Sequence, residues 1–172
     1  MGSVRGGGGA RGGWWVTPTV VVINGPNLNL LGSREPAVYG TTTLLEIETM
    51  VRDHAAQVGW QVEAFQSNHE GDLIDRVQAA AERGAVGIIL NGGALTHYSY
   101  ALADALRAVD VPAVEVHISD IHNREPWRRQ SVTGEACIAV ISGHGPQGYV
   151  EALDMLVGRA TEAGDRTQGA ET

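Results

Sequence analysis

The chain alternates between two hydrophobic patterns. Five short runs are β-branched: TVVVIN (19–24), QVEAFQS (61–67), AVGIILN (85–91), AVEVHIS (113–119) and CIAVIS (137–142). Runs of this length and composition read as strands. Between and after them, apolar positions recur at helical spacing over 42–58, 70–83, 98–109 and 147–158, with only a short turn near 124–130. Strand and helix in strict alternation imply parallel strands joined by right-handed crossovers.

Five such strands predict an α/β fold: a three-layer α/β/α sandwich around a parallel sheet in the flavodoxin-like order 2-1-3-4-5. A chain of 172 residues with 43% apolar content fits one domain with one core. Residues 1–18 are Gly- and Arg-rich without periodicity and read as a disordered tail; residues 160–172 read the same way. The catalytic domain is therefore expected over 19–159.

A net charge of -8 speaks against nucleic acid or an anionic membrane as partner, since either repels such a surface. No run approaches the roughly 18 apolar residues of a membrane span, and the start MGSVRGGGGARGG lacks the apolar stretch of a signal peptide. A soluble, cytoplasmic protein is expected. The single cysteine, Cys137, reads as a buried strand thiol. All 12 Lys+Arg residues are arginine, which excludes a lysine Schiff base and a phosphate-binding lysine.

In open parallel sheets ligands bind beyond the carboxyl ends of the strands. Those junctions are Asn24–Tyr39, Ser67–Glu70, Asn91–His97, His117–Asp120 and Gly143–Gly148, and all are polar. GHGPQG (143–148) has the G-x-G-x-x-G form, yet it follows the last strand and no acidic partner comes about 20 residues later. A tight strand-to-helix turn is the favoured reading. SNHE (67–70) reads as a capping box.

Glu115 and His117 are two apart in a strand and so share a face, the arrangement in which a carboxylate fixes an imidazole tautomer; a salt bridge is the plainer alternative. No zinc-type spacing of histidines is present, and no metal site is expected. Asn91 stands at a strand end, followed by two glycines and by His97, with Thr96 a candidate cap and Asp104 seven residues on, able to share a helix face with His97. Arg34 and Tyr39 lie in a long loop bounded by Gly32 and Gly40, suited to a lid. A guanidinium beside a phenol favours the phenolate, although spacing alone favours a surface arginine and a packed tyrosine.

Taken together, NGPNLNLLGSREPAVYG, QSNHEGDLID, LNGGALTHYSYALADAL, EVHISDIHNREPWRRQS and GHGPQGY resemble, in order and spacing, the type II 3-dehydroquinate dehydratases. The resemblance spans about residues 20–158. It implies a flavodoxin-like hydro-lyase that needs neither cofactor nor metal and converts 3-dehydroquinate to 3-dehydroshikimate by anti elimination through an enolate. On that basis Tyr39 is the base, Arg34 keeps it ionised, His117 protonates the leaving hydroxyl with Glu115 behind it, and Asn27 holds a water at the enolate. The resemblance further implies that Asn91 and the amides of Ile118 and Ser119 hold the substrate carboxylate, and that Arg128 holds a ring hydroxyl. His97 contacts substrate, and Asp104 reaches the site of a neighbouring subunit in a homododecamer of four trimers. Tyr98, Tyr100, Gly92 and Gln130 depart from the commoner family pattern. The alternatives are a nucleotide- or flavin-binding module using GHGPQG, and an altered relative acting on a related cyclic polyol acid.

Overall fold

The computed structural model describes residues 17–33, 37 and 40–169. Its five strands are β1 (Thr19–Asn24), β2 (Gln61–Gln66), β3 (Gly87–Asn91), β4 (Ala113–His117) and β5 (Ala139–Ser142). All pair in parallel, in the order β2-β1-β3-β4-β5. The helices are α1 (Leu44–Gln57), α2 (Glu70–Glu82), α3 (Tyr100–Ala108) and α4 (Gln147–Gly169). Each strand except β4 leads through its junction to one of them. β4 is followed instead by short 3-10 turns at Ile121–Asn123, Pro126–Arg128 and Thr133–Ala136.

Strand alternation divides the core in two. Val20, Val22, Ile89, Val114 and Val116 face Ile47 and Val51 of α1 and Leu153 and Leu156 of α4. Val21, Ile23, Ile88 and Leu90 face Leu73 and Val77 of α2 and Leu102 and Leu106 of α3. Each such buried side chain stabilises by about 1.5–3 kcal/mol relative to exposure, so both helical layers are held by the sheet. The same alternation carried to the strand ends turns Asn24 and Asn91 toward α4, and Glu115 and His117 toward the opposite layer.

The helix starts differ from the sequence expectations in instructive ways. At α1, Thr43 and Glu46 form a reciprocal capping box: Glu46 N donates to Thr43 Oγ1 at 3.3 Å and Thr43 N to Glu46 Oε2 at 2.7 Å. The Thr43 N–H, together with Thr43 Oγ1 donating to the same carboxylate oxygen at 2.8 Å, also lowers the Glu46 carboxyl below its ordinary value. SNHE forms no such box. Ser67 lies two residues before the cap position of α2, accepts from His69 N and donates to Asp72 at 2.6 Å, while Glu70 accepts from Ser99. Ser99, not Thr96, caps α3, accepting from Leu102 N at 2.9 Å.

Two boundaries are corrected. The last helix runs on to Gly169, so residues 160–169 are helical where the sequence suggested a tail. They carry no apolar stripe, and extending a helix that is already nucleated needs none. The expected helix 98–109 starts only at Tyr100, because Gly93–His97 forms a separate 3-10 turn.

Candidate active site

The junctions after β1, β3 and β4 meet in a cleft that opens to solvent. Close backbone packing draws the first two together. Gly25 N donates to Asn91 O at 2.8 Å, and a Cβ on Gly25 would sit 2.4 Å from the carbonyl oxygen of Gly92. No side chain fits there, which accounts for glycine at the second position of NGPN. Asn27 then takes the left-handed conformation (φ 68°), with its N–H donating to Asn68 Oδ1 at 2.9 Å.

Asn27, Asn91, His97, His117, Ile118, Ser119 and Arg128 all line the cleft, among the apolar walls Leu28, Leu31 and Ile121. Ile118 and Ser119 follow His117, the last residue of β4 in register with β5, so their amides lie beyond the ladder. Arg128 stacks its guanidinium over the Trp127 ring, 4.1 Å from the centroid, and its Nε lies 3.2 Å from Glu125. Arg124 is a second cationic wall that the sequence reading did not single out; it donates to Ser119 Oγ at 3.2 Å. Two guanidiniums and a row of amides suit an anionic, hydroxylated ligand.

Behind the cleft, His117 Nε2 meets Glu115 Oε1 at 2.7 Å. Glu115 is fully buried, and isolated burial of a carboxylate is costly. Here three donors surround it: Ser131 Oγ reaches Oε1 at 2.6 Å, and Thr133 Oγ1 donates to Oε2. With Nε2 committed to the carboxylate, Nδ1 is the ring nitrogen left for a ligand.

His97 is fixed by the same segment, its Nδ1 donating to the Gln130 carbonyl at 2.7 Å. A carbonyl only accepts, so the proton of the neutral ring sits on Nδ1. Burial lowers the His97 imidazole below its ordinary value; the Gln130 carbonyl opposes this, and the charges of His117 and Arg128 add to it. The His97 ring stacks at 6.3 Å on His117 and meets Trp127 edge-on at 5.3 Å.

On the opposite face of the sheet a second buried polar group forms the floor. Asn91 Nδ2 donates to the phenol oxygen of Tyr149, and Tyr149 donates to Asn24 Oδ1, both at 2.8 Å. Burial raises the Tyr149 phenol far above its ordinary value, so it acts as a neutral hydroxyl.

Three sequence expectations fare differently. Asp104 is exposed on α3 and does not line this cleft; His97 belongs to a separate turn, so the two share no helix face. Arg34 and Tyr39 lie outside the described residues. GHGPQG is a tight turn into α4, with Gly143 (φ +84°) against Asp120, and a Cβ on Gly148 would sit 3.2 Å from Ile141 and Val116. Among the described residues no group of three or more His, Cys, Asp or Glu side chains is placed to hold a metal ion. None of the helices among them is long and apolar enough to cross a membrane.

Ser131, Thr133 and Tyr149 were not foreseen as site residues. Ser131 and Thr133 sit 16 and 18 positions from Glu115, and Tyr149 sits 58 from Asn91, so no local pattern links them.

Comparison with known proteins gives a consistent result. The family model described as dehydroquinase class II matches residues 18–157. A 3-dehydroquinate dehydratase of Thermus thermophilus is 54% identical over 137 residues, covering 80% of this chain and 92% of its own. A catabolic 3-dehydroquinase of Aspergillus oryzae is 50% identical over 137 residues, covering 79% and 88%. Among solved structures, a type II dehydroquinase from Butyrivibrio crossotus superposes with a TM-score of 0.80 at 45% identity, covering 81% of this chain and 97% of that one.

Proposed function

The chain belongs to the dehydroquinase class II family, and from that premise we propose that it is a hydro-lyase converting 3-dehydroquinate to 3-dehydroshikimate. The observation that carries this reading is the buried Glu115–His117 pair, held at 2.7 Å beside a cleft lined by amides and guanidiniums. It supplies a proton donor next to a place for a carboxylate and several hydroxyls.

The reaction is an anti elimination in two steps. A base removes a proton from C2, and the electron pair of that C–H bond moves into the adjacent ketone to give an enolate. The enolate then collapses, the C1–O bond breaks, and the leaving oxygen departs as water with a proton from His117. Tyr39 as phenolate is the base, with Arg34 offsetting its charge; an unassisted phenol, with a pKa of about 10, would be too rarely ionised at neutral pH. Glu115 offsets the charge of His117 when the ring carries both protons, and Nδ1 delivers one. Asn27 holds a water at the enolate oxygen. Asn91 with the Ile118 and Ser119 amides holds the carboxylate, and His97 and Arg128 hold ring hydroxyls. The chemistry asks nothing of a redox group or metal, and the protein is placed in the cytoplasm.

The assembly is a homododecamer of four trimers. Supporting this, Asp104 is exposed and off its own cleft, available to a neighbour, beside the exposed Tyr98 and Tyr100. Light scattering should give about twelve times the 18.2 kDa chain mass. For the mechanism, Tyr39→Phe and Arg34→Ala should each lower kcat by about 10²-fold or more, as removal of general acid–base help does. A loss below about tenfold in Tyr39→Phe would place the base elsewhere.

A further inference from the structure

The floor of the cleft contains a run of hydrogen bonds whose direction is fixed from one end. The backbone N–H of Gly93 can only donate, and it donates to Asn91 Oδ1 at 3.2 Å. That places Nδ2 of Asn91 against the Tyr149 oxygen at 2.8 Å, where the phenol must accept. The phenol O–H is then directed to Asn24 Oδ1, also at 2.8 Å. The reverse amide orientation would set Nδ2 against the Gly93 N–H, donor facing donor.

We propose that Tyr149 is a positioning residue. The Gly93 N–H sets which way the Asn91 amide faces, and the phenol holds Nδ2 in that place, so that the remaining N–H of Asn91 is presented to an anionic group of the substrate. Asn91 lines the cleft, whereas Tyr149 is fully buried and Asn24 equally so. The effect of Tyr149 therefore passes through Asn91.

The relay ends on Asn24 Oδ1, and Asn24 Nδ2 is a buried donor with no partner among the described residues. The position of the phenol is set by the tight turn into α4, where Tyr149 N bonds to Pro146 O at 3.2 Å.

This inference rests on Asn91 being a carboxylate contact in the proposed reaction. The test uses the full chain and Tyr149→Phe, measuring kcat and KM for 3-dehydroquinate and competitive inhibition by quinate and by its carboxamide. Loss of one oriented donor to a charged group predicts a KM about tenfold higher with kcat changed less than about threefold. The preference for quinate over the carboxamide should fall by about tenfold, because Asn91, then held by the Gly93 N–H alone, presents its donor less firmly to the charged group. A merely structural defect would lower the amount of active enzyme without moving that preference. If Tyr149→Phe does not fold, Asn24→Ala, which removes the acceptor of the phenol proton, should shift KM and preference in the same direction. KM and preference within about twofold of the parent in a folded variant would overturn the relay. A parent chain without turnover would instead overturn the proposed reaction.

Discussion

Thr133→Val removes one hydroxyl from the buried Glu115 carboxylate and leaves the shape of the side chain almost unchanged. Both residues are fully buried, so no water replaces the lost donor. Thr133 is one of three donors, with His117 and Ser131, and a hydrogen bond to a charged group is worth about 1.5–3 kcal/mol. For a chain of this size each kcal/mol moves the midpoint by about 2–4 °C, giving a fall in Tm of roughly 3–12 °C. Thr96→Val is the internal control. Thr96 is also fully buried, but its hydroxyl has no partner among the described residues, so the same exchange removes no bond there and should be neutral or stabilising. Thermal unfolding followed by circular dichroism at pH 7, with urea titration as a check, measures both. Equal shifts in the two variants would refute the view that Glu115 depends on its donors.

Two further outcomes follow from the titrating groups. His97 has a lowered value in the folded state, so the folded protein holds it neutral while the unfolded chain takes up a proton more readily. Its stabilising contribution is present above the unfolded value of about 6.5 and is lost as pH falls through the folded one; urea midpoints between pH 7 and 5 should drop less in His97→Asn than in the parent. Cys137 is pushed up to about 12 by burial, with the Glu115 charge adding to it. At pH 8 its thiolate fraction is about 10⁻⁴, so a chromogenic disulfide reagent should leave it unmodified in the native protein and titrate one thiol after denaturation.

The sheet was legible because β1, β3 and β4 are apolar runs buried almost throughout, while β2 and β5 at the edges are only partly covered, and the order 2-1-3-4-5 fits strands that alternate with helices everywhere except after β4. Glu115 and His117 were legible as a pair for a purely local reason, the two-residue period of a strand. Partners chosen by tertiary placement were not. Ser131 and Thr133 reach Glu115 only because the segment after β4 folds back as 3-10 turns, and Tyr149 reaches Asn91 only because α4 packs on β3 and β4. Helix starts misled where two candidates lay close together: Thr96 and Ser99 both carry hydroxyls, and the intervening 3-10 turn puts Ser99 at the helix start. Arg124 was passed over for Arg128 because the sequence offers three arginines within six residues and no local rule ranks them.

The central claim is that these side chains alone carry out the elimination. It is tested most directly by adding 3-dehydroquinate to the full chain after exhaustive dialysis against a chelator and following the ultraviolet absorbance of the conjugated enone. Sustained multiple turnover at a rate unchanged by the dialysis is the expected result. Absence of enone formation by folded, dialysed protein would contradict it.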